Sequence, residues 1–169
     1  QQDMFDLSER LTTAPCVPAI RREVAAWRAT DWEGITEVTR ELFNFWFRTD
    51  HVMKGVRFQY HRAQQEAVET LVYLYEVKRI KRRKELLETY VQHTVDLRLP
   101  VHDEFTRYCL KMATGSGKTK VMAMAIAWQY ANAVRTNAEE YASNFLIIAP
   151  NVIVFERLRT DFVGGRMFH

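Results

Sequence analysis

The stretch "MATGSGKT", residues 112–119, holds the residues whose types and spacing most clearly prescribe a chemistry. A polyphosphate needs several donors aimed at one point, and backbone N–H groups supply them only where side chains leave the approach clear. Gly115 and Gly117 meet that need, and a helix starting behind them adds its positive N-terminal end. Within the loop Thr114–Thr119, Lys118 is placed to reach β- and γ-phosphates as a point charge. The Thr119 hydroxyl is placed to ligate Mg²⁺. Background residue frequencies give "GxGK[ST]" a chance on the order of 0.5% in a chain of this length. Nucleotide phosphate binding by Thr114, Gly115, Ser116, Gly117, Lys118 and Thr119 is therefore the expectation.

Such a loop works only between a strand and a helix. "RYCLKM" is a short strand candidate leading into it, and "TKVMAMAIAWQYANAV" is the helix leaving it. The nearly continuous apolar run "NFLIIAP" reads as a buried parallel strand, and "NVIVFERLRTDF" as a further helix. That order predicts a βαβ unit at the start of an α/β domain with a parallel sheet. Two parallel strands cannot bury both faces of such a core, so the chain is expected to expose apolar surface and to be a segment of a larger protein.

Upstream, the pattern is helical. A helix is expected after Pro18, with Ile20, Val24 and Trp27 on one face, then a turn around Gly34. A second helix in "ITEVTRELFNFWFR" is expected to face inward through Val38, Leu42, Phe45 and Trp46. After a partly extended "HVMKGVRFQY", one long helix is expected to carry the stripe Val68, Leu71, Val72 and Tyr75 onward through "KRIKRRKELLETYVQH" to a break before Pro100.

The chain has 169 residues, 47% of them hydrophobic, and a net charge of +3, enough for one domain plus an accessory segment. Its sequence pI of about 8.9 permits a polyanionic partner without deciding for one. Cys16 and Cys109 are far apart and lack metal-ligand spacing, which fits reduced thiols. No stretch approaches 18 uncharged apolar residues, and no basic start precedes a hydrophobic run. A cytoplasmic protein without a membrane partner is expected.

A strict "GxxxxGK[ST]" loop would open with glycine at position 112, where this chain has Met112. "MATGSGKT" resembles the motif I variant of superfamily 2 helicases and translocases, particularly the helicase lobes of restriction enzymes. "QQEAVETLVYLYE" is similar to the Q-type segment upstream of motif I in those enzymes. That resemblance implies ATP as the nucleotide and adenine recognition by Gln64, whose carboxamide can donate and accept at once; Tyr60 is a further candidate, for stacking on the base. An exposed glutamine at a helix start is the other reading of Gln64. "FLIIAPNVIVFERL" looks like motif Ia, which implies a nucleic-acid backbone at the turn holding Pro150 and Asn151, with Ile153 to Leu158 in the helix behind. The helical preface resembles that of proteins related to type III restriction endonuclease Res subunits.

The resemblance implies a P-loop NTPase fold: residues 1–56 form a helical accessory segment, and 57–169 the first part of a RecA-like lobe with a charged insertion at about 76–104. It implies the N-terminal part of an ATP-dependent DNA helicase or translocase, the restriction subunit of a type III-like endonuclease. Duplex DNA would be its substrate, and a methyltransferase or specificity subunit its partner. Superfamily 2 hydrolysis also needs an Asp-Glu pair on another strand and arginines from a second lobe. Glu139, Glu140, Glu156 and Asp161 do not supply that pair, so no ATPase is expected of these 169 residues alone. Other helicases acting on DNA or RNA, a nucleotide- or DNA-binding module without turnover, and a small-molecule kinase are the alternatives. "KRIKRRK", six basic residues in seven, reads either as a guide for DNA phosphates or as a solvated helix face offset by Glu85 and Glu88.

Overall fold

Pro18 in the first turn sets the start of α1 (Val17–Ala29), whose inward face is Ile20, Val24 and Trp27, as the spacing predicts. The helix stops where Thr30 turns back, its hydroxyl donating to the Trp27 carbonyl at 2.8 Å. Asp31 and Trp32 then adopt left-handed backbone, with φ of 59° and 55°. This structure, a computed structural model, describes residues 16–53, 55–91, 104–136 and 138–163. The expected break before Pro100 lies outside the described residues.

Thr36 caps α2 (Glu37–Arg48), its hydroxyl accepting from the Thr39 amide at 3.1 Å. The buried face of α2 is Val38, Thr39, Phe43 and Trp46. This corrects the expected face, since Phe45 is 53% exposed and Leu42 half-buried. Hydrogen bonds rotate the helix, because Thr39 is drawn inward by polar partners described below. The next segment forms a hairpin of β1 (His51–Met53) and β2 (Val56–Phe58), antiparallel with His51 opposite Phe58.

The expected long helix is divided. α3 (Arg62–Val72) runs into one wide turn of π-helix, Tyr73–Val77, and α4 (Arg83–Tyr90) follows after an interruption. Lys78 N–H reaches the Tyr73 carbonyl, Ile80 N–H reaches that of Leu74, and Arg79 is left-handed at φ 56°. The Glu85 carboxylate takes the Lys81 and Arg82 amides and so starts a new helix. An unbroken helix would have stacked the basic run on itself at three- and four-residue spacing, a repulsive arrangement that the break relieves.

Beyond the glycine loop come α5 (Lys118–Thr136) and α6 (Val152–Phe162). Neither "RYCLKM" nor "NFLIIAP" is a strand, and among the described residues the only sheet is the hairpin. The expected parallel sheet is therefore not formed among them. A buried parallel strand takes hydrogen bonds and apolar cover from neighbours on both sides. Here Leu146 and Ile148 are 86% and 82% exposed, so the run that reads as a core strand lacks that cover.

Contacts divide the chain into two compact units, Gln1–Ile35 with Glu69–Leu110, and Thr36–Val68 with Lys111–His169. In the first, Glu69 is wholly buried. Its carboxylate accepts from the Arg28 guanidinium, with Nε 2.9 Å from both oxygens, and from Trp32 Nε1 at 3.0 Å. Trp27 packs on Tyr73 with ring centres 5.0 Å apart. Glu23 accepts from the hydroxyls of Tyr73 at 3.0 Å and Tyr90 at 2.9 Å, and pairs with Lys78 at 3.1 Å. Burial alone would raise the Glu23 carboxyl, but these partners hold it below its ordinary range.

In the second unit α2 packs against α5. The Thr39 hydroxyl accepts from Trp128 Nε1 at 3.1 Å and Asn132 Nδ2 at 2.9 Å, while Thr36 donates to Asn132 Oδ1 at 2.6 Å. A polar cluster this buried holds the two helices in one register, since a shift would strand its donors.

Removing one side of a buried ion pair costs far more than removing an exposed one. We expect Glu69→Ala to destabilise the chain by about 3 kcal/mol in urea unfolding, with Glu69→Gln costing less. Wild-type stability in Glu69→Ala would contradict the role given to this carboxylate.

Candidate functional site

The loop before α5 is built from main chain. Ser116 folds back on Ala113, its amide reaching the Ala113 carbonyl at 3.3 Å and its hydroxyl donating to the same oxygen at 2.7 Å. Gly115 and Gly117 are both left-handed, with φ of 79° and 80°. At Gly115 an added Cβ would meet nothing within 4 Å, so the glycine serves the backbone path and leaves the outer face of the loop open. The Gly117 carbonyl accepts from Lys120 and Val121, which makes it the hinge from loop into α5. The first amides of that helix thus end at the loop, as an anion site requires.

Lys118 arches over its own loop. Its ammonium donates to the carbonyls of Ala113 at 3.0 Å and Met112 at 3.2 Å. The departure from glycine at position 112 therefore leaves this interaction intact, because the carbonyl serves and not the side chain. An anion entering the loop would compete with those oxygens for Lys118. Thr119, half-buried in the first turn of α5, carries a hydroxyl of the kind that can ligate a hard divalent cation.

Gln64 is only 7% exposed, which removes the reading of an exposed glutamine at a helix start. Its Oε1 accepts from the His61 amide at 2.9 Å and so closes the start of α3. Its carboxamide lies against the loop: a Cβ on Gly117 would come within 3.2 Å of Gln64 Cδ and would collide with its Nε2. Gly117 is thus doubly required, by its backbone and by the approach of Gln64.

Tyr60 meets the chain just past the loop, where Lys120 Nζ lies 5.7 Å from its ring centre. The rings of Phe58, His51 and Phe47 surround it edge-on at 5.2, 5.4 and 6.2 Å. Burial pushes the Tyr60 phenol up and the Lys120 ammonium down. Lys120 and the hairpin ring cluster are neighbours of the loop that the motif did not single out. Lys120 follows the motif directly, but its approach to Tyr60 depends on the hairpin and has no signal in the spacing.

The second unit therefore brings together Gln64, Tyr60 and the loop Thr114–Thr119. Among the described residues no hydrogen bond links Pro150 or Asn151 to the loop. Both are exposed, and Asn151 caps α6, its Oδ1 accepting from the Val154 amide at 3.0 Å. Among the described residues no group of three or more His, Cys, Asp or Glu could hold a metal ion, and no helix is long and apolar enough to cross a membrane.

A family model described as type III restriction enzyme, res subunit, matches residues 57–166. That span includes Tyr60, Gln64 and the whole loop. No curated protein and no solved structure matches the chain.

Alanine at position 117 would be strained by its left-handed backbone and would displace Gln64. We expect Gly117→Ala to cost about 2 kcal/mol in urea unfolding. A double-mutant cycle with Gln64→Ala should show that part of this cost is shared. Independent, additive effects would contradict the packing of Gln64 on the loop.

Proposed function

The chain belongs to the type III restriction enzyme Res subunit family, and from that premise we propose that it is the ATP-binding part of an ATP-dependent DNA helicase or translocase. The family supports a helicase-like function within restriction enzymes, and a P-loop NTPase fold goes with it. The observation that carries the nucleotide assignment is the loop itself: two left-handed glycines, a helix start behind them and a lysine folded over the open face.

In this reading the amides of Gly115 and Gly117 face the phosphates, the Ser116 amide leaves the Ala113 carbonyl to join them, and the start of α5 adds its dipole. Lys118 leaves the carbonyls of Met112 and Ala113 to meet the β- and γ-phosphates, exchanging neutral acceptors for charged ones. The Thr119 hydroxyl would help to hold Mg²⁺, which when bound would supply charge compensation to the phosphates. Gln64 reads the adenine edge with its carboxamide once that group exchanges the His61 amide for the base. Tyr60 offers a ring for the base. The turn at Pro150 and Asn151 contacts the nucleic-acid backbone. ATP turnover in the complete enzyme would drive movement along duplex DNA, in company with a methyltransferase or specificity subunit.

The test is binding of MgATP, followed with a fluorescent ATP analogue. Lys118 is exposed and contacts only loop carbonyls among the described residues, so Lys118→Ala should fold normally. Losing its charge-assisted bonds should weaken MgATP by about 10- to 100-fold. Unchanged affinity would refute the assignment.

A further inference from the structure

The basic run from Lys78 to Lys84 has no part in the nucleotide site, yet the structure holds it firmly. Ile80 is buried, and its carbonyl accepts from the Tyr108 hydroxyl. The Lys81 and Arg82 amides both donate to Glu85, at 3.0 and 3.1 Å. The Lys81 ammonium sits 4.7 Å from the Tyr75 ring centre. Lys78 is paired with Glu23 at 3.1 Å, and Lys84 with Glu88 at 3.7 Å. That frame leaves Arg79, Arg82 and Arg83 exposed, on a path that is neither a continuous helix face nor slack chain.

Arg79 carries the second observation. Its φ of 56° is a left-handed backbone that side chains other than Asn and Asp rarely adopt. A large cationic side chain kept at an exposed position that favours glycine directs attention to the side chain itself. Arg79 and Arg82 are three residues apart, so their Cα atoms lie within about 10 Å of each other. That reach spans roughly three phosphates along the axis of one DNA strand.

We propose that Arg79, Arg82 and Arg83 form a sequence-independent contact surface for the phosphate backbone of duplex DNA. Planar guanidinium groups match phosphate oxygens in pairs, and fixing the main chain beforehand reduces the ordering cost of binding. The surface rests on the reading of the chain as part of a DNA-handling enzyme and deepens it. It adds a backbone contact outside the turn at Pro150 and Asn151.

The test uses the chain itself and a short fluorescein-labelled duplex of mixed sequence, with anisotropy read from about 50 to 200 mM salt. The triple variant Arg79→Gln, Arg82→Gln, Arg83→Gln should bind about tenfold more weakly at low salt. Its log–log salt slope should be shallower by about 2 to 3. A control removing the same charge from the other unit, Arg48→Gln, Arg57→Gln, Arg62→Gln, should change both far less. Arg79→Gly alone relieves the left-handed backbone, so it should keep or raise the melting temperature while the slope still falls by about 0.9. No duplex binding by the wild-type chain, wild-type binding by the triple variant, or an equal loss in the control would overturn the surface. MgATP affinity is read separately on the same proteins. A wild-type chain that fails to bind nucleotide counts against the proposed function and not against these arginines.

Discussion

The proposed phosphate cradle, made of main chain, must keep side chains out of its own opening, and that constraint organises the second unit. Gly115 and Gly117 meet it by taking left-handed backbone, which aims the loop outward and leaves space above Gly115. Such a backbone persists only where its surroundings define it. The Ser116 bonds to Ala113 brace one side, the first turn of α5 closes the other, and Gln64 packs on Gly117. α5 is fixed in turn by its polar cluster with α2, in which Thr39 serves Trp128 and Asn132 together. The helical preface thus contributes a helix that holds the phosphate-loop helix.

The first unit is organised by two carboxylates, one buried and one at its edge. Glu69 gathers Arg28 and Trp32 around one fully buried group, and Glu23 does the same at the edge for Tyr73, Tyr90 and Lys78. Burying a carboxylate is unfavourable unless donors surround it. The strict pairing seen here is therefore expected, and it ties α1 to the π-turn and to α4. It also bears on how six cations in seven residues are tolerated, since Glu23 pairs with Lys78 and Glu88 with Lys84.

The backbone of the loop was legible in the sequence because its requirements are local: two glycines at fixed spacing take the left-handed turns, and a helix starts at Lys118. α1 was legible because one apolar stripe decides its face. α2 was not, because Thr39 is core through hydrogen bonds that spacing does not encode, and Phe45 turns outward as a result. The break at Arg79 follows from a π-turn and a Glu85 cap that look, residue by residue, like continuing helix. "NFLIIAP" has the composition of a core strand, but a strand is defined by its neighbours, and among the described residues it has no ladder partner. Gln64 was legible as a residue type, while its burial against Gly117 depends on the fold.

The central claim is that the loop Thr114–Thr119 receives nucleotide phosphates on its main-chain amides. Backbone amide NMR of the chain titrated with MgATP tests it most directly. Saturable shifts concentrated at Gly115, Ser116, Gly117, Lys118 and Thr119 are expected, with Gln64 responding at the same concentrations. Shifts absent from the loop, or confined to residues away from it, would contradict the account.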